Sequence, residues 1–174
     1  MTTWSEIVSR HSGLVWQTAF RLLGNHADAA DCFQEAFLAA VELSRRERIR
    51  NWPGLLQQLA TRKALDQLRS RAGRSRFRGK APDWATVVSP NPGPPQEAEA
   101  AELAASLRAA LSELPDRQAE VFCMRFLSEL SYRDIARLLG LSTSAVGVLL
   151  HRARARLREM LSPADAATEA EVSP

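Results

Sequence analysis

A dense run of cationic side chains lies near the middle of the chain. Between Arg62 and Lys80 there are eight basic residues and a single acid, Asp66. Positive charge at this density usually meets a polyanion, because neutralising phosphates releases counterions. The run therefore predicts contact with nucleic acid, and a solvated basic helix face is the alternative.

The residue types that hold metals or act as nucleophiles are scattered along the chain. The histidines and cysteines are His11, His26, Cys32, Cys123 and His151. None of them has the spacing of a metal site or of a nucleophile beside a base, and no glycine-rich phosphate loop precedes a helix. We expect no catalytic residue, no metal and no cofactor, and we expect both cysteines to be buried in a reducing compartment.

Length and composition favour an all-α protein. The 174 residues are rich in the helix formers Ala, Leu and Arg, and 45% of them are hydrophobic. We find no stretch that approaches the roughly 20 apolar residues of a membrane span. The N-terminal residues lack the basic and apolar segments of a signal peptide, so we expect a cytoplasmic protein.

A proline-rich segment divides the chain, since five of the nine prolines fall within residues 82–95. Proline lacks the N–H that helices and inner strands require. The pattern indicates two small helical domains, over 1–78 and 101–161, joined by a semi-extended linker over 79–100. The tail, 162–174, is rich in Ala, Glu and Pro, and we expect it to be disordered.

Apolar residues at helical spacing predict three helices in the first domain. The first helix ends at Gly24, a residue type that favours helix termini. Asp28 is suited to cap the second helix, which runs over 29–43. Pro53 fits the first turn of a third helix. The first domain is therefore predicted to be a helical bundle.

The second domain carries a helix-turn-helix pattern. Ser131 is placed to cap a short helix that breaks at Gly140, and Ser142 or Thr143 then caps a long final helix that reaches Leu161. A short helix, a Gly-containing turn and a longer helix with a cationic end are typical of DNA-binding domains.

Taken in order, these segments resemble the sigma-70 family of RNA polymerase subunits. Residues 28–37 (DAADCFQEAF) resemble the region 2 helix that binds the polymerase clamp. Residues 59–69 (LATRKALDQLR) are similar to the next segment, which engages the −10 promoter element. Residues 114–122, 130–140 and 151–154 resemble region 4, the reader of the −35 element. Because regions 2 and 4 alone are present, the chain resembles the extracytoplasmic-function (ECF) group.

The resemblance implies promoter-specific transcription initiation without catalysis by this chain. It implies the clamp and flap of core RNA polymerase and promoter DNA as partners, and an anti-sigma factor as a candidate partner. The implied core-binding residues are Asp28, Asp31, Gln34, Glu35 and Phe37. The implied −10 residues are Arg62, Lys63, Asp66, Arg69 and Arg71. The implied −35 residues are Thr143, Ser144, Arg152 and Arg154.

The region 2 segment departs from the family pattern at two positions. Members commonly carry Asn at the position of Arg62, where it helps frame the flipped −10 base, so the chemistry of the pocket must differ here. Trp52 stands three residues ahead of the usual family tryptophan, which favours a packing role over stacking on a base.

The final helix departs further, because Gly147, Val148 and Leu149 replace basic or hydroxyl residues. None of the three can hydrogen-bond a base edge through its side chain. Three interpretations stay open: readout through DNA shape and backbone contacts, contact of Val148 with thymine methyl groups, or a role in holding the polymerase flap. We favour the first.

A stand-alone helix-turn-helix regulator that binds DNA as a dimer is the alternative function. It accounts for residues 130–156 but leaves the first domain without a role. A sigma factor is expected to be monomeric when free and to act with core polymerase, so oligomeric state and core-dependent transcription discriminate the two.

Overall fold

The computed structural model describes residues 3–77 and 95–162, and within them every regular element is an α-helix. The helices are α1 (Trp4–Leu23), α2 (His26–Ser44), α3 (Trp52–Phe77), α4 (Pro95–Glu113), α5 (Asp116–Phe126), α6 (Tyr132–Leu139) and α7 (Thr143–Leu161). This confirms the predicted all-α class. The first domain comprises α1–α3 and the second comprises α4–α7. Most of the predicted linker and nearly all of the predicted tail lie outside the described residues.

The start of α2 differs from the prediction, because Asn25 and not Asp28 is the N-cap. Gly24 ends α1 in the left-handed region with φ 73°, and Asn25 follows in an extended conformation. The Asn25 side chain accepts a hydrogen bond from the Asp28 backbone N–H at 2.8 Å. Asn and Asp are comparable N-caps, and the sharp turn at Gly24 leaves room for only one residue before the helix resumes.

The helix-turn-helix is confirmed in the second domain. Ser131 caps α6 by accepting from the Asp134 N–H at 3.1 Å, and Gly140 ends that helix with φ 64°. Ser142 caps α7 by accepting from the Ala145 N–H at 3.1 Å, which settles the choice between Ser142 and Thr143.

Helix α3 opens at Trp52 as predicted, whereas α4 begins at Pro95, inside the predicted linker. The earlier start has a local cause. Proline tolerates the first helical turn, and the Glu- and Ala-rich residues that follow have high helix propensity. Trp52 packs edge-on against Trp4, with ring centroids 5.3 Å apart, in agreement with its predicted packing role.

The apolar core is continuous between the two domains, which the sequence pattern did not predict. One cluster lies within α1–α3 and another joins α5 to the helix-turn-helix of α6 and α7. A third joins Leu22, Leu65 and Leu68 of the first domain to Leu111 and Leu157 of the second. Burial of apolar side chains is the main favourable term in folding, so this shared core holds the domains against each other.

Two arginines add polar contacts across the same boundary. Arg108 of α4 donates from Nε to the Leu22 carbonyl at 2.9 Å, and Arg21 of α1 donates to the Leu127 carbonyl at 2.7 Å. The Arg108 guanidinium lies so close to Gly24 that an added Cβ there would come within 2.3 Å of it. Gly24 therefore allows both the left-handed turn and the approach of the second domain.

Candidate nucleic-acid and polymerase interfaces

Helix α2 presents the predicted acidic face beside α3. Asp31, Gln34 and Glu35 are exposed, and Asp28 is half-buried in the first turn. Asp28 pairs with Arg71 of α3 at 2.9 Å, and Glu35 lies 3.5 Å from the Lys63 ammonium. The structure therefore sets two acids of the predicted core-binding group against two cations of the predicted −10 group.

An apolar pocket of about 390 Å³ lies beside this acidic face. Phe37, the apolar member of the predicted core-binding group, lines the pocket but is itself only 8% exposed. Leu38 lines the same pocket and is 64% exposed. Sequence reasoning missed Leu38, although its position gives a signal. It lies on the polar side of α2, four residues after Gln34 and seven after Asp31, where an exposed leucine is out of place.

The predicted −10 group lies along α3, and its remaining arginines contact the second domain. Arg62 Nε lies 2.5 Å from Glu120 Oε1 of α5. Arg69 lies 3.2 Å from Asp116 of α5 and 3.6 Å from Asp66 of its own helix. All four cations of the predicted group are thus paired with acids of this chain.

Glu120 is the least expected residue of this contact, since its side chain is only 5% exposed. Besides Arg62 it accepts from Arg117 at 3.2 Å and from Gln58 at 3.4 Å. A buried carboxylate needs such donors, because removal from water without compensation is costly. The sequence contains a signal for this buried acid, because Asp116 and Glu120 are one helical turn apart in a helix that is otherwise largely apolar on its buried side.

Helix α7, the second helix of the helix-turn-helix, presents one exposed stripe to solvent. Thr143 and Ser144 are exposed in its first turn, and Val148 is 49% exposed one turn further on. Ser144, Val148 and Arg152 are spaced four residues apart, so they lie on one side of the helix. The structure therefore brings three of these side chains to the same side.

Arg154 and Leu149 lie apart from that stripe. Arg154 places its guanidinium 4.7 Å from the ring centre of Phe126 in α5, and Leu149 packs against the core of the helix-turn-helix. Gly147 has room for a methyl group, since an added Cβ would meet Tyr132 at an ordinary 3.8 Å. Of the three unusual residues, Val148 is the one that is exposed to solvent.

Both cysteines are free and buried, as predicted. Burial raises the pKa of the Cys32 thiol and of the Cys123 thiol to about 12. A thiol with so high a pKa is a poor nucleophile at neutral pH. Within the described ranges, 3–77 and 95–162, no cluster of His, Cys, Asp or Glu could hold a metal ion, and no helix is long and apolar enough to cross a membrane.

Two protein-family models match the chain over most of its length. Residues 7–74 match the model described as Sigma-70 region 2, and residues 104–157 match the model described as Sigma-70, region 4. The first range runs from Ile7 in α1 to Arg74 in α3, and the second runs from Ala104 in α4 to Leu157 in α7.

Curated relatives agree with these matches. The chain is 35% identical to the ECF RNA polymerase sigma factor SigE of Mycolicibacterium smegmatis over 164 residues, which is 93% of this chain and 63% of SigE. It is 25% identical to the ECF RNA polymerase sigma factor SigW of Bacillus subtilis over 173 residues, which is 90% of this chain and 88% of SigW. The chain therefore spans slightly less than two thirds of SigE and most of SigW.

Solved structures show the same fold. The sigma factor RpoE in complex with the anti-sigma factor NepR, from Bartonella quintana, has a TM-score of 0.55 at 20% identity, covering 92% of this chain and 98% of RpoE. CnrH, in complex with the cytosolic domain of CnrY, has a TM-score of 0.53 at 26% identity, covering 90% of this chain and 86% of CnrH. Two family models in the expected order and ECF relatives over at least 90% of the chain lead to one conclusion: the chain belongs to the sigma-70 family of RNA polymerase sigma factors, in its ECF group.

Proposed function

We propose that this chain directs promoter-specific transcription initiation by binding core RNA polymerase and the −10 and −35 promoter elements. One observation carries the proposal. A single chain joins an acidic and apolar docking face on α2, a cationic α3 and a helix-turn-helix, over the residues matched to regions 2 and 4. The chain acts without catalysis of its own, in the cytoplasm where the polymerase transcribes.

The polymerase clamp docks on α2. Asp28, Asp31, Gln34 and Glu35 offer carboxylates and an amide to a cationic partner, which complementary charge would steer into place. The neighbouring pocket supplies the apolar part of the interface, with Phe37 in its wall and Leu38 at its rim. Leu38 is the side chain that a partner would cover most completely.

The promoter strand at the −10 element runs along α3. Arg62, Lys63, Arg69 and Arg71 would neutralise its phosphates, as a cationic groove does for separated strands. Asp66 is 71% exposed on the same helix and orients Arg69. Arg62 replaces the usual asparagine, so its planar guanidinium would stack on a base or pair with a phosphate.

The −35 element meets the first half of α7 in the major groove. Thr143, Ser144 and Arg152 supply polar contacts, and Arg154 would approach a phosphate only by leaving Phe126. With Gly147 in the helix and Leu149 turned inward, direct base readout is poor. Readout through DNA shape, with Val148 against a thymine methyl group as a secondary contact, fits this surface best.

An anti-sigma partner is a further part of the proposal. RpoE and CnrH, whose folds this chain shares, were each solved in complex with such a protein or with the cytosolic domain of CnrY. An inhibitor that covers α2 would compete with the clamp for the same apolar pocket.

In vitro transcription with core polymerase of the source organism tests the proposed function. Added chain should produce discrete 5′ ends from a genomic template, while core alone should not. Light scattering should show a monomer when the chain is free. A stable dimer that binds duplex DNA without polymerase, together with no core-dependent transcript, would contradict the proposal and favour the helix-turn-helix regulator.

A further inference from the structure

We infer that Gly147 of α7 and Tyr132 of α6 form a notch on the −35 surface that receives one phosphate of the DNA backbone. Gly147 leaves room for the sugar–phosphate chain to approach α7, and the Tyr132 hydroxyl donates a hydrogen bond to the phosphate. The inference rests on the proposed function, which sets the −35 element against α7, and it identifies a positioning residue outside that helix.

Gly147 lies on the face of α7 that is assigned to DNA. Ser144, Gly147, Val148 and His151 have the spacing i, i+3, i+4 and i+7, which places them on one face of a helix. The other three residues are exposed around Gly147, which is itself half-buried. The missing side chain therefore leaves a gap within an exposed surface and not within the core.

The Tyr132 ring forms one wall of this gap. A Cβ added at Gly147 would lie 3.8 Å from Cε2 of Tyr132, which is an ordinary contact distance. The ring therefore borders the gap without filling it, and Tyr132 remains 39% exposed. A side chain that extends beyond Cβ at position 147 would have to pass over the ring or displace it.

A helix cap and a neighbouring cation fix the place of Tyr132. It is the first residue of α6, and Ser131 caps that helix by accepting from the Asp134 N–H at 3.1 Å. Arg125 of α5 lies over the ring, with its Cζ 5.8 Å from the ring centre, and donates to the Leu130 carbonyl at 3.3 Å. The guanidinium adds positive charge beside the notch, which favours an anion there.

The fold itself gives no reason for a glycine at position 147. Gly24 and Gly140 are the described glycines with a left-handed backbone, whereas Gly147 lies within the regular helix α7. Because glycine lowers helix stability relative to alanine, and because a methyl group would fit here, the constraint on this position arises outside the free chain. Close approach of another backbone is a common reason for glycine, and the DNA backbone provides it.

The chemistry of the notch fits a phosphate better than a base edge. In a helix-turn-helix the first helix crosses the DNA backbone while the second enters the major groove. Tyr132 stands at the start of that first helix, α6. Tyrosine hydroxyls are among the groups that bind phosphate oxygens, and such contacts fix the register of the protein on the duplex. This contact supports readout through DNA shape.

The test measures binding of the holoenzyme to a promoter fragment that has been mapped by transcription, at several salt concentrations. Y132F removes the hydroxyl and keeps the ring. We expect it to weaken binding about fivefold, and by a similar factor for every base substitution in the −35 element, because a phosphate contact carries no sequence information. The salt dependence should stay unchanged, since no cation is lost.

Added bulk at position 147 tests the other half of the notch. G147A should raise the unfolding temperature of the free chain, because alanine has the higher helix propensity, and should still weaken promoter binding about threefold. G147L should weaken binding at least tenfold. G13A and G13L are the matched controls, since Gly13 lies within α1 and an added Cβ there would meet nothing within 4 Å. Both controls should leave promoter binding unchanged.

Two further measurements join the two residues. If the DNA backbone lies between Gly147 and Tyr132, G147L already prevents the hydroxyl contact, so Y132F should cost little more in that background. Replacement of single phosphates by neutral methylphosphonates should identify one position in the −35 element at which the unmodified chain and Y132F bind equally. Far-UV circular dichroism verifies that each variant keeps its helices.

The inference is overturned if Y132F binds as tightly as the unmodified chain, or if G147L weakens binding no more than G13L. A loss with Y132F that is confined to one base pair would overturn it as well, because the hydroxyl would then read a base. Failure of the proposed function is a different result, namely no core-dependent transcript with the unmodified chain. In that case duplex DNA bound by the free chain at low salt gives the same comparison of variants, because phosphate contacts do not depend on sequence.

Discussion

The two proposed DNA surfaces of this molecule differ in what they contact in the free chain. On α3, the four cations assigned to the −10 element all pair with carboxylates, and one of these carboxylates is buried. On α7, Ser144, Val148 and Arg152 face solvent along one stripe. The first surface is strongly charged, but its cations are already paired with carboxylates of the chain. The second surface is exposed, but it offers few side chains that can hydrogen-bond DNA. The comparison teaches that residue type suggests where DNA would bind, while packing decides which of those side chains are already paired within the chain.

The largest effect is expected at the docking face of the first domain. L38E places a charge at the rim of the α2 pocket and should weaken core polymerase binding at least thirtyfold, about 2 kcal/mol, as expected for a central apolar anchor. Titration of labelled chain with core polymerase measures it. L103E on α4 is the matched control, because Leu103 is also 64% exposed. Equal losses for both variants would show that α2 carries no special docking role.

The second-largest effect is expected from removal of the buried Glu120 carboxylate, which should lower the stability of the chain. E120A leaves Arg62, Arg117 and Gln58 without their acceptor, and about 1–2 kcal/mol of unfolding free energy should be lost. The figure is modest because Arg62 is 45% exposed and can regain water. Urea unfolding followed by circular dichroism gives the value, with E159A on α7 as the exposed control. If E120A is as stable as E159A, the buried carboxylate on α5 contributes no more to the unfolding free energy than an exposed carboxylate on α7.

Loss of a cation from the exposed stripe on α7 should weaken binding to all −35 sequences by a similar factor. R152A should weaken duplex binding by the holoenzyme about fivefold for all −35 sequences and lower the salt dependence by about one phosphate contact. Filter binding at several salt concentrations measures both quantities. R156A serves as a matched control, since Arg156 is exposed one turn further along α7. Loss confined to one −35 sequence would indicate that Arg152 reads a base.

The smallest effect should separate the interpretations of −35 readout. V148A removes the methyl groups that could touch thymine and should change affinity by about threefold or less, at a single base position, if that contact exists. A library of −35 sequences transcribed by the holoenzyme reads the preference. No change at any position favours readout through DNA shape, while a large change at several positions would contradict the view that this surface is sparse.

Local features were predictable because they depend on neighbouring residues. Gly24 and Gly140 end helices in the left-handed region, and Ser131 and Ser142 cap the helices that follow, all within one turn of the residues that reveal them. Asp28 was predicted as a cap where Asn25 serves, because two good capping residues stood three positions apart. The start of α4 was predicted late, because a proline that usually interrupts a helix stands here in its first turn.

The sequence by itself determined the helices, the helix-turn-helix and the resemblance to sigma-70 regions 2 and 4, because periodicity, caps and short motifs are local. Only the tertiary structure decided that four cations of the run on α3 are paired with acids, namely Arg62, Lys63, Arg69 and Arg71. Glu120 is 58 residues from Arg62 in the chain, and no local pattern encodes which acid meets which arginine. That pairing depends on an apolar core shared by both domains, whose formation requires the whole fold. The sequence therefore shows where the charges are, and only the tertiary structure shows that they are paired.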